Sequence, residues 1–306
     1  MPAAPYDQVE SARTVSDVVV TAPARLHLGF LDLAGDLGRR FGSLGLAIDG
    51  IDTRVRATPA PRLRVEGPEA ARAERYARTM AERFGLSDRI AIRVERAIPP
   101  HAGLGSGTAL ALAVGAAMAR GAIDPAATAM ALGRGQRSGI GIAAFQAGGL
   151  VLDGGQAEGA ATPPPILARH DFPPDWRVLL VLDEGFQGKH GEAELAAFGR
   201  LAPFPTAVAA ELCRLVLMQA LPALVERDID RFGAAISRLQ AAVGDHFAPA
   251  QGGRFSSPVV AEALGWLQDQ GVRGVGQSSW GPTGFALLGS EAEARRLAEG
   301  ARGRFA

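Results

Sequence analysis

The stretch Ile98-Pro99-Pro100-His101-Ala102-Gly103-Leu104-Gly105-Ser106-Gly107-Thr108 decides the fold of this chain. It joins a strand-like run, residues 90–94, to an almost wholly apolar helix predicted over 106–120. A glycine-rich turn at a helix N-terminus presents main-chain N–H groups and the positive end of the helix dipole, which suit a phosphate. A tight turn that merely starts a helix is the alternative, and the anion site is favoured. The phosphate-binding candidates are Pro100, His101, Gly103, Leu104, Gly105, Ser106, Gly107 and Thr108.

Two common phosphate loops are excluded by the residues at the end of this stretch. A Walker loop requires a lysine before its final serine or threonine, and Gly107-Thr108 has none. A dinucleotide-binding fingerprint requires a glycine where Thr108 stands. The sequence therefore predicts a phosphate-binding loop of another kind.

The amino-acid composition is typical of a globular protein. A length of 306 residues favours two domains, and 47% of the residues are hydrophobic. The 32 basic and 32 acidic side chains cancel, so no nucleic acid or membrane partner is expected. Cys213, the single cysteine, lies in an apolar run and is expected to be a buried structural thiol. No secretion signal is recognised, and a cytoplasmic location is expected.

Strands and helices alternate irregularly, which favours an α+β fold. We expect a flexible N-terminal tail at 1–16, an N-terminal domain at 17–162 and a C-terminal domain at 163–306, divided near Pro163-Pro164-Pro165. The predicted strands are 18–20, 44–48, 53–57, 90–94, 150–152, 178–182 and 285–288. The predicted helices are 69–84, 106–120, 125–137, two within 205–242, 259–270 and 291–301.

Four basic residues near the N-terminus are candidates for catalysis. Arg25 and His27 alternate with leucines, so on a strand both lie on one face, either as a cationic, titratable pair or as a solvent-facing edge. Arg39 and Arg40 stand between Gly38 and Gly42, and such arginines suit bidentate capture of a carboxylate or phosphate. A solvated turn is the alternative for them.

Three further segments carry polar groups. Residues 184–192 form a glycine loop with Lys189, which suits either a mobile lid or a plain surface loop. Asp153 and Asp183 are possible metal ligands or bases, although surface turns are the stronger interpretation. Residues 277–284 are predicted to form a polar wall of the site with an aromatic platform. The competing interpretation is a structural turn whose tryptophan packs inward. The substrate-binding candidates of the wall are Gln277, Ser278, Ser279 and Trp280.

Together these segments resemble one family. The glycine loop is similar to the phosphate-binding motif of the GHMP kinase superfamily, Pro-x-x-x-Gly-Leu-Gly-Ser-Ser. Within that superfamily, four segments resemble the β-ribofuranosylaminobenzene 5′-phosphate synthase family and span most of the chain. They are Ala24-Arg25-Leu26-His27-Leu28-Gly29, Gly38-Arg39-Arg40-Phe41-Gly42, Arg137-Ser138-Gly139-Ile140-Gly141-Ile142-Ala143-Ala144-Phe145 and Gly276-Gln277-Ser278-Ser279-Trp280-Gly281-Pro282-Thr283.

The resemblance implies a two-domain GHMP-kinase-like α+β fold, a ribosomal-protein-like N-terminal domain followed by a ferredoxin-like one, and a homodimer. It also implies the first step of methanopterin biosynthesis. Ribose 5-phosphate passes from phosphoribosyl pyrophosphate to 4-aminobenzoate or 4-hydroxybenzoate, with release of CO2 and pyrophosphate and assistance from Mg²⁺. Ser138 and Gly139 are further substrate-binding candidates. Arg25, Arg39 and Arg40 are expected to clamp the carboxylate of the benzoate. His27, His101 or Lys189 is expected to transfer protons or to bind pyrophosphate.

The first alternative is an ATP-dependent GHMP small-molecule kinase, and the second is a catalytically silent member of the superfamily that senses a metabolite. Kinases of this superfamily that use a catalytic base generally place an aspartate in the segment that matches 138–142, where this chain has no carboxylate. Gly107 also replaces the second serine of the loop motif. Both departures favour the synthase, while the metal ligands are left open.

Overall fold

The computed structural model describes residues 9–11, 17–186 and 201–305. The strands are β1 (Val9–Ser11), β2 (Val18–Asp32), β3 (Arg39–Pro59), β4 (Arg64–Glu66), β5 (Ile90–Arg96), β6 (Leu150–Asp153), β7 (Gln156–Ala157), β8 (Ile166–His170), β9 (Arg177–Val181), β10 (Gly274–Gln277) and β11 (Gly284–Leu288). The helices are α1 (Ala70–Phe84), α2 (Ser106–Ala119), α3 (Pro125–Ala131), α4 (Ile140–Ala147), α5 (Thr206–Leu215), α6 (Leu221–Val225), α7 (Ile229–Gln251), α8 (Pro258–Asp269) and α9 (Glu291–Phe305). A π-helical turn, Val216–Ala220, joins α5 to α6.

The long antiparallel pair of β2 and β3 is the centre of the first sheet. Its strand order is β1-β2-β3-β5-β4, with β6 pairing with both β3 and β8, and β7 pairing with β3. The β2–β3 register shifts between Pro23 and Ala24 and again between His27 and Gly29. Such irregularities bend a strand and redirect its side chains. They lie on either side of the segment that carries Arg25 and His27.

Helix α2 is the core of the N-terminal half. Its 14 residues are nearly all Ala, Leu, Val and Gly, so every face can be buried. It packs against β2, β3 and α1, and ten of its residues are buried. The prediction of a buried helix behind the glycine loop is confirmed. The glycine loop is therefore attached to a helix that is held in place by the surrounding core.

The second sheet has the order β10-β11-β9 and is antiparallel throughout. Strand β11 is fully buried, because α8 covers one of its faces while Phe285 and Leu287 on the other join the main core. A smaller core under α8 and α9 includes Val260 and Leu264. Two mixed layers of this kind confirm the predicted α+β class.

Three local predictions differ from the structure. The helix predicted over 125–137 ends at Ala131, because Gly133 and Gly135 adopt left-handed φ values of 68° and 79°. The strands predicted at 44–48 and 53–57 are parts of the single strand β3. The second helix predicted within 205–242 is α7, which continues to Gln251.

The predicted tail contains a strand, and the predicted domain limit lies between two strands of the first sheet. Within the expected tail at 1–16, residues 9–11 form β1 and pair with β2. The first sheet continues past the predicted limit at 162/163, since β8 pairs with β6, and the second sheet begins with β9. The chain thus changes sheet between His170 and Arg177, and the domain boundary itself stays a prediction.

One helix in the described ranges, Thr206–Val225, is long and apolar enough to cross a bilayer by length and composition. The most apolar 18 residues of this helix have a mean hydropathy of 1.7. A core helix of a folded domain satisfies the same criteria. This one packs against β2 and α7.

Candidate active site

The glycine loop leaves the N-terminus of α2 without a side-chain cap. The loop is anchored where the Ile98 N–H donates to Thr53 Oγ1 (3.2 Å). His101, Gly103 and Gly105 all have positive φ, and Gly105 is the N-cap residue. Its carbonyl accepts the N–H groups of residues 108 and 109. The N–H groups of residues 106 and 107 are therefore the donors that we expect a ligand to meet.

The loop is held from two sides by close contacts at Gly103. Its carbonyl accepts hydrogen bonds from Arg25 Nη1 (2.6 Å) and Ser278 Oγ (2.8 Å). A Cβ on Gly103 would lie 2.3 Å from the Ser278 carbonyl oxygen, so no larger residue fits there. The main chains of Arg25 and Leu104 are also joined, N to O, at 3.1 Å. The loop is thus held in place by Arg25 of β2 and by Ser278, which follows β10.

Arg25 and His27 lie beside the loop in different charge states. Burial lowers the pKa of Arg25 to about 10, so its guanidinium is still charged at neutral pH. Burial, helped by the charges of Arg25 and Arg137, lowers the pKa of His27 to about 3. The expected cationic pair is therefore one cation beside a neutral imidazole. The alternative of a solvent-facing edge is also wrong, since His27 is only 5% exposed.

Arg134 is a site residue that the sequence analysis missed. A Cβ on Gly107 would lie 3.1 Å from Arg134 Cζ, so the glycine makes room for the guanidinium. Arg134 Nη2 donates to the Tyr76 hydroxyl (2.6 Å), and its Cζ lies 5.7 Å from the centre of that ring. The available signal was an arginine between two glycines, as at 38–42. A second guanidinium thus adjoins the start of α2.

Arg39 and Arg40 are exposed, adjacent residues of β3 and so point to opposite sides of the strand. Arg39 donates to the carbonyls of Gly154 (2.8 Å) and Gly155 (2.7 Å), and Arg40 donates to the carbonyl of Leu33 (3.4 Å). These contacts tie both arginines to neighbouring main chain. Their role as a carboxylate clamp stays a prediction.

Ser138 and Gly139 hold a buried carboxylate at the N-terminus of α4. Asp153 Oδ2 accepts from Ser138 Oγ (3.1 Å) and the Gly139 N–H (2.8 Å). Its Oδ1 accepts from the N–H groups of Ser43 (2.9 Å) and Gly155 (3.0 Å). Burial raises the pKa of Asp153, and these hydrogen bonds oppose that shift. The favoured surface turn was wrong for Asp153, which is fully buried, and substrate binding by Ser138 and Gly139 stays a prediction.

The segment 277–284 has the inward-packed tryptophan of one interpretation and polar contacts to the glycine loop. Trp280 packs inward, with its ring 4.7 Å from that of Phe247, while Ser278 reaches the loop. Gln277 is buried and accepts from the N–H (2.6 Å) and hydroxyl (2.9 Å) of Ser256. Ser279 has φ of 58° and donates its N–H to the His27 carbonyl (3.3 Å). The segment is a turn that contacts both the loop and β2, and substrate binding by Gln277, Ser278, Ser279 and Trp280 stays a prediction.

Other candidates lie apart from this group. Lys189 and most of the loop at 184–192 fall outside the described residues. Asp183 accepts from Ser257 Oγ (2.6 Å) at the start of α8. Cys213 is half-buried rather than buried as expected, because it lies at the edge of the main core, and this partial burial raises its pKa and favours the protonated thiol.

The described residues offer no ready protein cage for Mg²⁺. Among them, no group of three or more His, Cys, Asp or Glu side chains is placed to hold a metal ion. Asp153 has its oxygens engaged by four protein donors. Mg²⁺ often binds through substrate phosphates and water rather than through a protein cage. The side chains of this part of the chain do not themselves fit a dedicated metal centre.

The sequence of the chain matches known families and curated proteins. The chain matches the families described as "GHMP kinases N terminal domain" over residues 71–149 and "GHMP kinases C terminal" over 220–306. It is 38% identical to "Beta-ribofuranosylphenol 5'-phosphate synthase" of Archaeoglobus fulgidus, covering 71% of this chain and 74% of the relative. The protein of the same name from Methanocaldococcus jannaschii is 33% identical, with coverage of 73% and 76%.

Solved structures agree with the fold. The chain superposes on Leishmania major mevalonate kinase with a TM-score of 0.68 at 15% identity, covering 98% of this chain and 94% of the kinase. For 4-(cytidine 5'-diphospho)-2C-methyl-D-erythritol kinase the TM-score is 0.62 at 22% identity, with coverage of 93% and 95%. At such identities the likeness concerns the fold alone, and it confirms the predicted GHMP-kinase-like architecture.

Proposed function

The chain belongs to the GHMP kinase superfamily and, within it, to the β-ribofuranosylphenol 5′-phosphate synthase family; on that premise we propose that it is a decarboxylating pentosyltransferase. The proposed reaction moves ribose 5-phosphate from phosphoribosyl pyrophosphate to the ring carbon that bears the carboxylate of a 4-substituted benzoate. The names of the relatives contain a phenol, which favours 4-hydroxybenzoate over 4-aminobenzoate as the acceptor. This reaction would begin methanopterin biosynthesis.

One observation carries the proposal from the structural side. The N-terminus of α2 has no side-chain cap and no acidic residue in its first turn, and the guanidinium groups of Arg25 and Arg134 adjoin it. Uncapped N–H groups, a helix dipole and two cations favour a polyanion. The glycine loop is therefore suited to the phosphate groups of the sugar donor.

The bonds of the proposed step balance without an external oxidant or strong base. A ring electron pair forms the C–C bond to the anomeric carbon while the bond from that carbon to pyrophosphate breaks. Loss of CO2 from the same ring carbon then restores aromaticity. Negative charge accumulates on the leaving pyrophosphate, where N–H donors and guanidinium groups stabilise it. Mg²⁺ is proposed to accompany the pyrophosphate oxygens, and no protein ligand is assigned to it.

A GHMP-type kinase is the second candidate, and two features disfavour it. Segment 138–142 supplies no carboxylate, and the nearby Asp153 is saturated by four donors and buried. Gly107, where the superfamily motif has a serine, instead accommodates Arg134. A base poised at a substrate hydroxyl is a common need of such kinases.

The test is incubation of the full chain with phosphoribosyl pyrophosphate, Mg²⁺ and carboxyl-labelled 4-hydroxybenzoate. We expect labelled CO2 and pyrophosphate in equal amounts. ADP formation with ATP and a small alcohol, without CO2 release, would instead establish the kinase. The variant Arg134→Met should raise the KM for the sugar donor about tenfold, the loss expected for one charge-assisted contact. Arg75→Met, on the exposed side of α1, is the matched control.

Location and assembly are proposed from the family alone. We propose a cytoplasmic homodimer that acts on small molecules, with no nucleic acid partner and no membrane insertion. Size-exclusion chromatography with light scattering measures the oligomeric state.

A further inference from the structure

A cleft lined by aromatic rings lies beside the glycine loop. Its cavity volume is about 30 Å³, and it opens to solvent; its lining includes His27, Phe30, Phe247 and Trp280. The His27 and Phe30 ring centres are 4.5 Å apart, and those of Phe247 and Trp280 are 4.7 Å apart. Aromatic side chains in such pairs form flat apolar walls. Such walls suit the flat face of a planar, largely apolar group whose remaining part extends into the open mouth of the cleft.

Several polar side chains of the cleft are engaged with protein partners. Gln240 donates to the Leu28 carbonyl (2.6 Å) and accepts the Gln277 N–H (2.8 Å). Arg254 forms a bidentate pair with Asp245, at 2.7 and 2.9 Å. These groups hold the walls in place.

His27 Nε2 differs from them. It is buried and has no hydrogen-bond partner among the described residues. The imidazole also interacts with its own main-chain carbonyl, an acceptor. That contact favours a proton on Nδ1 and leaves a lone pair on Nε2. A buried acceptor without a partner is costly, and a ligand that donates a hydrogen bond would remove the cost.

We propose that this cleft is the acceptor subsite, that Phe30, Phe247 and Trp280 enclose an aromatic ring, and that His27 Nε2 accepts a hydrogen bond from the ring's hydroxyl or amino group. The inference rests on the proposed function and adds the residues that hold the acceptor. Ser279 lines the cleft while its neighbour Ser278 bonds to Gly103 of the loop. The ring therefore lies next to the position proposed for the sugar donor.

The hydrogen bond also suits the chemistry. The ring carbon that attacks the anomeric carbon is para to the hydroxyl, and attack draws electrons from that oxygen. A neutral imidazole strengthens this donation by taking on part of the hydroxyl proton as the ring loses aromaticity. The proton returns fully to the oxygen when CO2 leaves, so no net proton transfer to the protein is required. A protonated imidazole could not accept this bond, and burial, helped by the neighbouring charges of Arg25 and Arg137, lowers the pKa of His27 and keeps it neutral.

Calorimetric titration of the full chain with 4-hydroxybenzoate and 4-fluorobenzoate tests the proposal, both alone and with pyrophosphate present. The fluoro compound has nearly the same shape but no donor. We expect about tenfold tighter binding of the hydroxyl compound, the usual worth of one hydrogen bond. His27→Phe should reduce that ratio to about one while keeping the affinity for 4-fluorobenzoate.

Trp280→Leu should weaken the binding of both compounds by about tenfold because one wall of the cleft is lost. Trp266→Leu, in α8 and outside the cleft, is the matched control and should change neither affinity. Absence of binding heat in both conditions, or a His27→Phe variant that keeps the hydroxyl preference, overturns the proposal. Hydroxyl-selective binding without CO2 release in the turnover assay supports this subsite and refutes the proposed reaction.

Discussion

The N-termini of α2 and α4 differ in whether the protein itself places an anion next to the positive end of the helix. At α4 the protein supplies its own anion, because Asp153 accepts the Gly139 N–H and the Ser138 hydroxyl. At α2 the N-cap is a glycine, no side chain caps the helix, and guanidinium groups adjoin it. A positive helix end favours a negative charge in either case. The anion at α4 is thus part of the protein itself, whereas the N-terminus of α2 has no side-chain cap and is free for the external phosphate that we propose.

The largest expected effect is at the closed helix end. Asp153→Ala should lower the free energy of unfolding by about 4 kcal/mol, because four buried donors lose their acceptor. Asp175→Ala, at an exposed position, is the matched control and should change it by less than about 0.5 kcal/mol. Urea unfolding followed by circular dichroism measures both. Equal stability of the two variants would show that Asp153 is not the structural anion of α4.

The second test concerns the backbone at the open helix end. Gly103→Ala should cost about 3 kcal/mol, since its Cβ would meet a main-chain oxygen and its φ is 80°. Gly133→Ala, with φ of 68° and nothing within 4 Å of its Cβ, should cost only the conformational strain, about 1 kcal/mol. The same urea titrations separate the two costs. If both variants lost the same amount, close approach to Ser278 would not be what requires glycine in the loop.

The smallest expected effect at mildly acidic pH is a dependence of stability on pH beside the open helix end, and it grows on further acidification. The folded-state pKa of His27, about 3, lies below the ordinary 6.5, so between these values the unfolded chain binds a proton that the native protein does not. Stability from this group is fully present above pH 6.5 and falls by about 1.4 kcal/mol per pH unit on acidification toward 3.

His27→Phe should lack this loss, which unfolding titrations at several pH values between 4 and 7 would detect. Asp153 acts in the opposite sense, because its raised pKa makes stability fall as pH rises above its ordinary 3.8. That contribution is common to both proteins and cancels in the difference. Parallel pH profiles for the wild type and His27→Phe would mean that His27 titrates as an exposed histidine does.

Sequence patterns predicted which segments come together more reliably than they predicted the state of each side chain. The loop at 98–108, Arg25, His27 and Ser278 were chosen from the sequence, and the structure brings them together. The family suggested by their motifs is confirmed by the relatives. Arg134 was missed because its link to the loop passes through Tyr76 of α1 and through the space left by Gly107. The local signal, Gly133-Arg134-Gly135, carries no information about which distant residues the arginine contacts.

The sequence by itself determined the α+β class, the buried helix α2 and the glycine turn before it, because periodicity, apolar runs and glycine act over neighbouring residues. Only the tertiary structure decided the charge states and the pairing of polar groups. His27 is neutral because β2 places it in a buried position beside Arg25 and Arg137, and Asp153 is a structural anion because four donors from distant segments surround it. Burial and long-range hydrogen bonds set such properties, and they exist only once the chain has folded.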